Sequence, residues 1–249
     1  MRDSETTRRR ADVVLVERGF FESRARAQAA IAAGLVTADG RPVKKPSEDI
    51  AVDAVITAEA PHPWVSRGGL KLVAALDAFA IDVTGRNCLD VGSSTGGFSH
   101  VLLSRRARAI VAVDTGREQF HASLRADPAI TLLESTDIRN LTSTDLPFAP
   151  DIAVIDVSFI SLRLVLPAVT ALMARACDLV ALVKPQFEVG RGHVGKGGIV
   201  TDAAERQRAV SEVQAVAQGL GWTLGGLIDS PIEGGDGNRE FLIHASRPA

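Results

Sequence analysis

Four ionisable residues, Lys71, Asp156, Lys184 and Glu240, stand where an alternating α/β chain would bring them to one edge of its sheet. Asp156 follows the apolar pair Val154-Ile155 and Lys184 follows Leu182-Val183, so each ends an expected strand at the carboxyl edge, where such sheets bind ligands. Glu240 opens the last expected strand, 240–245. Only the short Gly-rich loop Pro231 to Asn238 separates it from the strand expected at 222–229. That is too short for a crossover helix, so the last strand should run antiparallel and start at the same edge. Lys71 lies on an expected helix, 69–79, and is one of only five lysines beside 23 arginines. A lysine kept in an arginine-rich chain points to an amine that must lose its proton, which a guanidinium cannot do. The plainer use of the same four groups is a surface salt-bridge quartet.

A second set of residues suits binding rather than proton transfer. The strand expected at 87–91 runs into Asp90-Val91-Gly92-Ser93-Ser94-Thr95-Gly96-Gly97-Phe98, a Gly-rich turn that opens a helix. Such a turn lets backbone amides approach a ligand with no Cβ in the way. It lacks the lysine of a phosphate-cradling loop, and its glycines do not follow G-x-G-x-x-G. It resembles instead the D-x-G-x-x-x-G-G loop of S-adenosylmethionine (SAM) methyltransferases. Asp114 ends the next expected strand, where an acid can hold ribose hydroxyls. Asp137 follows the third, placed to accept from an adenine amino group. Either acid alone would also serve as a helix N-cap.

Positioning these groups takes two units. Residues 11–19 and 23–34 carry helical periodicity, closed by Gly19 and Gly34, with Ser23 as the second N-cap. Leu35 to Ala38, the Asp39-Gly40 turn and Pro42-Val43 read as a hairpin, and Ile50 to Ile56 as one more strand. Beyond the proline-stiffened stretch Ala60-Pro61-His62-Pro63-Trp64 the pattern alternates, with strands near 87–91, 108–113, 130–134, 152–156 and 179–184. Alternation of this kind implies parallel pairing with helices on both faces. The expected architecture is α/β, a Rossmann-like, mostly parallel seven-stranded sheet behind a small N-terminal α+β unit. Its boundaries are 1–60, a linker at 61–66, and 67–249.

The chain has 249 residues, 46% of them hydrophobic and 23% charged, with a net charge of −2, which suits a folded globular protein and not a disordered one. That near-neutral total conceals a basic segment: residues 8–45 hold nine Lys/Arg against four acids. Such a patch is the footprint expected of a nucleic-acid-binding face, although a solvated helix face is the plainer alternative. The N-terminus MRDSETTRRR has no apolar stretch behind it and Leu162 to Ala174 is too short to span a bilayer, so no secretory signal and no membrane partner are expected. Cys88 and Cys177 lie in apolar segments and read as reduced core residues of a cytoplasmic protein. His62, His100, His121, His193 and His244 are scattered without ligand spacing, so no metal is expected.

The chain resembles the TlyA family, often labelled hemolysin A, whose members join an S4 RNA-binding domain to an FtsJ-like ribosomal RNA 2′-O-methyltransferase. The likeness runs from about Arg8 through nearly the whole chain. It rests on Arg10 to Gly19, Ser23 to Ala27 and Ala33 to Val36 in the first unit. In the second it rests on Val65 to Leu72, Asp90 to Phe98, Asp156 to Ser161, Lys184 to Glu188, Gly195 to Val200 and Gly237 to Leu242. Ala11 stands where leucine is usual, Asp39-Gly40 replaces Asn-Gly, and His62-Pro63-Trp64-Val65 lacks a basic residue common in the family's linker.

The resemblance implies a SAM-dependent rRNA methyltransferase acting on a ribose 2′-hydroxyl, of a cytidine, with rRNA or a ribosomal subunit as partner and a monomeric state. Lys71, Asp156, Lys184 and Glu240 fall on the family's K-D-K-E catalytic tetrad. In that reading Lys184, desolvated beside the second ammonium of Lys71, takes the hydroxyl proton, and Asp156 and Glu240 hold the two lysines. Asp90, Gly92, Ser93, Ser94, Thr95, Gly96, Gly97, Phe98, Asp114 and Asp137 are the cofactor candidates. Arg10, Arg18, Arg24, Arg26, Lys44, Lys45, Arg67 and Lys196 are the RNA candidates, Lys196 on a loop over the substrate. The alternative is an RNA-binding protein with a hemolysin-type name and little or no methyltransferase activity. A membrane-lytic protein would need a lytic amphipathic or spanning segment, which is not visible. A base methyltransferase would need an N/D-P-P-[YF] motif after the fourth strand, and Asp156-Val157-Ser158-Phe159 does not supply it.

Overall fold

The computed structural model describes residues 7–234 and 237–248 and divides into two compact units, residues up to Pro63 and Trp64 onward. Gly235 and Asp236 of the loop before the last strand lie outside the described residues.

In the first unit β1 (Arg8–Arg10) leads directly into α1 (Ala11–Glu17), and Ser23 caps α2 (Arg24–Ala32) by accepting from the Arg26 N–H at 3.4 Å. β2 (Val36–Ala38) and β3 (Arg41–Pro42) form the expected hairpin, with Ala38 opposite Arg41. Asp39 and Gly40 both take positive φ at its turn. The stretch read as one strand over 50–56 is two. β4 (Asp49–Ala51) pairs antiparallel with β1, and β5 (Ile56–Ala58) pairs with β2. A turn in which the Ala54 N–H reaches Ala51 O separates them, so the chain can serve two different sheets. Ala11, Val14, Leu15, Ala27, Ala30, Ile31 and Val36 make the small core of this unit.

The second unit is one seven-stranded sheet. Its strands are β6 (Asn87–Val91), β7 (Ala109–Val113), β8 (Ile130–Leu133), β9 (Ile152–Ile155), β10 (Cys177–Val183), β11 (Thr223–Asp229) and β12 (Phe241–Arg247). Their order is β11-β12-β10-β9-β6-β7-β8. The five strands from β6 to β10 pair parallel, and β12 runs antiparallel to both neighbours. The central strands are predominantly apolar and buried on both faces, with Asp90 of β6 the fully buried charged exception. One face is covered by α3 (Gly68–Ala78) and α4 (Gly97–Ser104), with Leu72, Leu76, Val101 and Leu102 against Ile110 and Val154. The other is covered by α6 (Leu162–Leu172) and α8 (Ala203–Gly219), with Leu166, Val169, Val210 and Val213 against Leu179 and Ile155. Two single turns complete the unit, α5 (Ala122–Arg125) and α7 (Pro185–Glu188). No helix among the described residues is long and apolar enough to cross a membrane.

Strand order decides what meets at the carboxyl edge. β9 and β10 are neighbours, so Asp156 and Lys184, each one residue past its strand, emerge side by side. Val183 opposite Phe241 in the antiparallel ladder brings Glu240, the residue before β12, to the same edge.

Candidate active site

Two lysine–carboxylate pairs assemble at this edge. Lys71, on the first turn of α3, places Nζ 2.5 Å from Glu240 Oε2, with both side chains almost fully buried. Lys184 places Nζ 2.5 Å from Asp156 Oδ1, and the same ammonium donates to Ser158 Oγ at 2.9 Å. The two pairs lie in one neighbourhood: a Cβ built on Gly68, at the start of α3, would lie 3.9 Å from Asp156 Oδ2. Buried ions are costly unless paired, so the Lys71–Glu240 pair stands where an ordinary core would place apolar groups, whereas Lys184 and Asp156 keep partial exposure beside the binding turn.

The binding turn adjoins them. Gly92 (φ 81°) and Gly96 (φ 91°) take the left-handed backbone that favours glycine, and Gly96 caps α4. At Gly92 a Cβ would fall 2.3 Å from the carbonyl oxygen of Asp156, so the turn and the strand end carrying Asp156 can approach only because that side chain is missing. Asp90 is fully buried, with Oδ2 accepting from Ser99 Oγ at 2.6 Å. Its Oδ1, like the buried hydroxyl of Ser93, has no hydrogen-bond partner among the described residues. Burial is the main reason that the Asp90 carboxyl is pushed up to about 7, more than the Ser99 hydrogen bond can offset.

A cavity of about 850 Å³ opens beside the turn. Gly92, Ser94, Asp114, Asp137 and Asp156 of the expected residues line it; so do Gln119, Arg139 and Phe187, which sequence reasoning missed. Asp114 is held by two backbone donors, Ser94 N–H at 2.8 Å and Gly116 N–H at 2.6 Å. Asp137 caps a short 3-10 turn through the Arg139 N–H, and its pairing with the Arg139 guanidinium holds the carboxyl below its ordinary range. Phe98 turns away from the cavity into the core beneath α4, and Thr95, Gly96 and Gly97 shape the turn without lining the cavity.

Two further features at the mouth were not legible. Phe159 has φ 64°, is 91% exposed and meets Phe187 with ring centroids 5.2 Å apart. Behind it, the buried Glu188 carboxylate accepts from Ser161 Oγ at 2.5 Å and from the Leu162 N–H at 2.8 Å. It thereby ties the turn after Lys184 to the loop that carries Asp156 and Ser158. Burial raises the Glu188 carboxyl above its ordinary value. Asn238 accepts from the Val200 N–H at 3.0 Å and donates to Gly198 O at 2.9 Å, which pins the Gly-rich segment bearing the exposed Lys196.

Of the other basic candidates, Arg67 is exposed at the start of α3, and Lys44 and Lys45 are exposed in the first unit. Arg26 is half-buried on α2. Arg18 donates to Ala54 O at 2.5 Å and lies over the Phe20 ring, while Arg10 and Arg24 both engage Asp12. Cys88 and Cys177 are free and buried, and burial pushes the Cys88 thiol up to about 12. Among the described residues no group of three or more His, Cys, Asp or Glu is arranged to hold a metal ion.

The S4 domain family profile matches residues 9–56, and that of the FtsJ-like methyltransferases matches residues 64–247. Over 95% of this chain and 89% of the relative, the sequence is 48% identical to the 16S/23S rRNA (cytidine-2′-O)-methyltransferase TlyA of Mycobacterium tuberculosis. The solved structure of a hemolysin-named protein from Streptococcus thermophilus superposes with a TM-score of 0.77 at 39% identity, covering 98% of this chain and 90% of that one. An S-adenosylmethionine dependent methyltransferase from Listeria monocytogenes shares the fold of the second unit, with a TM-score of 0.55 at 14% identity over 74% of this chain and all of that one. On the two domain profiles and the extent of this identity, the chain belongs to the TlyA family of methyltransferases, an S4 domain followed by an FtsJ-like domain.

Proposed function

We propose that this protein is a cytoplasmic, SAM-dependent rRNA methyltransferase that methylates the ribose 2′-hydroxyl of a cytidine. The observation that carries the reading is the pair of lysine–carboxylate contacts, Lys71–Glu240 and Lys184–Asp156, at the carboxyl edge beside the Gly92 cavity. The cavity suits SAM. Asp114, in the cavity lining, matches a ribose diol, while the orphan Asp90 Oδ1 and Ser93 hydroxyl, buried behind the turn and outside that lining, would reach the ammonium and carboxylate of an amino acid end only if the turn adjusts on binding. When bound, SAM supplies an electrophilic methyl on a sulfonium.

The chain's own groups do the rest. Lys184 and Ser158 hold the attacking hydroxyl; once the Lys184 ammonium has released a proton to solvent, the neutral amine accepts the hydroxyl proton as the oxygen attacks the methyl, and Asp156 stabilises the ammonium that re-forms. Lys71 and Glu240 fix the ribose from the α3 side, and alignment of the hydroxyl with the methyl supplies much of the rate. Phe159 offers an exposed ring on which the target base stacks. The basic residues of the S4 domain, with Arg67 and Lys196, bind phosphates.

Mapping 2′-O-methyls in rRNA by mass spectrometry, with and without the protein, tests this. A cytidine 2′-O-methyl present only with active protein is the expected result. Its absence, with RNA binding intact, would leave an RNA-binding protein without this activity.

A further inference from the structure

The S4 domain contains a charge that opposes its own task. Asp12 is fully buried, although it belongs to the basic segment 8–45. Three side chains converge on its carboxylate. Arg10 binds both oxygens, Nε to Oδ1 and Nη2 to Oδ2, each at 3.0 Å. Arg24 binds Oδ2 through Nε at 3.2 Å and Nη2 at 2.7 Å, and Gln28 Nε2 reaches the same oxygen at 2.7 Å. These donors come from β1 and from two positions on α2, while the Asp12 backbone N–H is taken by Pro46 O. The Arg10 hydrogen bond is the main force holding the Asp12 carboxyl far below its ordinary range, so it is ionised wherever the domain is folded.

One carboxylate between two guanidiniums leaves a net positive cluster. Each guanidinium has five N–H donors and spends two on Asp12, so three remain on each. The Arg10 and Arg24 side chains are 46% and 55% exposed, so their free edges face solvent while the acid that orients them does not. A solvated arginine ordered on binding must give up rotamer freedom, and a planar fork already fixed by a partner gives up less.

We propose that Asp12 is a positioning residue for RNA capture: it holds the forks of Arg10 and Arg24 in the orientation that receives phosphate oxygens. This rests on the reading of the S4 basic face as an RNA anchor. If only charge mattered, removing an acid from a phosphate-binding face would tighten binding. If Asp12 orders the forks, removing it weakens binding even though every positive charge remains.

The experiment compares full-length wild type, Asp12→Asn, Arg10→Lys/Arg24→Lys and Arg10→Ala/Arg24→Ala for binding to a labelled rRNA transcript across a salt series, with circular dichroism reporting the fold. Asp12→Asn should bind about tenfold more weakly, with a salt slope within one unit of wild type. Arg10→Lys/Arg24→Lys keeps the acid and the charge but loses the forks, and should weaken binding to a similar degree. It decides the matter if Asp12→Asn fails to fold. Equal or tighter binding by a folded Asp12→Asn, or wild-type affinity in the double lysine variant, overturns the proposal. Unchanged binding by Arg10→Ala/Arg24→Ala overturns it differently, by showing that this face is not the RNA anchor.

Discussion

Lys184 Nζ lies 2.5 Å from Asp156 Oδ1 and 2.9 Å from Ser158 Oγ, so the amine that ends β10 is gripped by two groups on the loop that ends β9. The grip spans neighbouring parallel strands and is reinforced behind by Glu188, which ties the next turn to Ser161 and Leu162.

Arginine at position 184 separates charge from proton transfer. Lys184→Arg keeps the positive charge beside Asp156, so SAM and RNA binding should both persist. A guanidinium cannot take the hydroxyl proton, and losing a general base costs about 10²–10⁴-fold in rate. Single-turnover methylation checks this. A rate within a few fold of wild type would assign Lys184 to steering alone.

Asp90 makes stability depend on pH. Its carboxyl ionises near 3.8 in an unfolded chain and at about 7 in the folded one. Between those values the folded chain binds the extra proton, so this group's contribution to stability falls as pH rises through the window and is flat above it. The full shift corresponds to on the order of 4 kcal/mol. Asp90→Asn removes the titration and can still accept from Ser99. In thermal melts without ligand, the Tm of the variant relative to wild type should therefore rise from about pH 4 to about pH 7. A constant difference across that range would show that Asp90 ionises at an ordinary pH.

Gly92→Ala places a methyl 2.3 Å from the Asp156 carbonyl at a φ of 81°. The backbone of Asp156 must move, and overpacking of this kind costs typically 1–3 kcal/mol, before the cost of the left-handed conformation. The same movement displaces Asp156 from Lys184. Methylation should be lost more completely than SAM affinity, because the clash strikes the strand end that carries the proton-transfer pair. Chemical denaturation with calorimetric SAM titration separates the two effects; unaltered stability and activity would show that the turn has room to spare.

What the sequence could reveal depended on how local each requirement is. The Gly92–Gly96 turn is readable because left-handed backbone selects glycine within a few residues. The second unit's strands are readable because central parallel strands are continuous apolar runs, and the short loop before β12 implies its reversal. Lys71 and Glu240 are 169 positions apart, and only strand order joins them. The burial of Asp12 left no trace in sequence, since an acid in the first turn of a helix ordinarily faces water; its partners Arg24 and Gln28 come from another helix. β1 is Arg8-Arg9-Arg10, with no alternation to mark a strand, and it exists through pairing with β4 some forty residues on. The same partner preference split the stretch 50–56 in two. Glu188 and Phe159 were hidden for opposite reasons, one an acid buried by tertiary contacts and the other an aromatic left outside the core.

That exposed aromatic yields the last test. Phe159 adopts φ 64°, a backbone region where a bulky residue is an outlier, and it presents its ring to solvent at the mouth of the cavity. Strain of this sort persists when a function needs the side chain in that place. Phe187 backs the ring at 5.2 Å, which leaves the outer face for a base. Stacking of a base on an aromatic is worth about 1–3 kcal/mol, so Phe159→Ala should reduce kcat/KM for rRNA by roughly 5- to 150-fold. Because the side chain contributes no core packing, the melting temperature should hold or rise slightly. Phe159→Trp should recover most of the loss, since any ring that stacks will serve. A Phe159→Ala enzyme with unchanged kcat/KM would remove the ring from the substrate path; a tryptophan variant as impaired as alanine would mean that the shape of phenylalanine, and not stacking, is what the site requires.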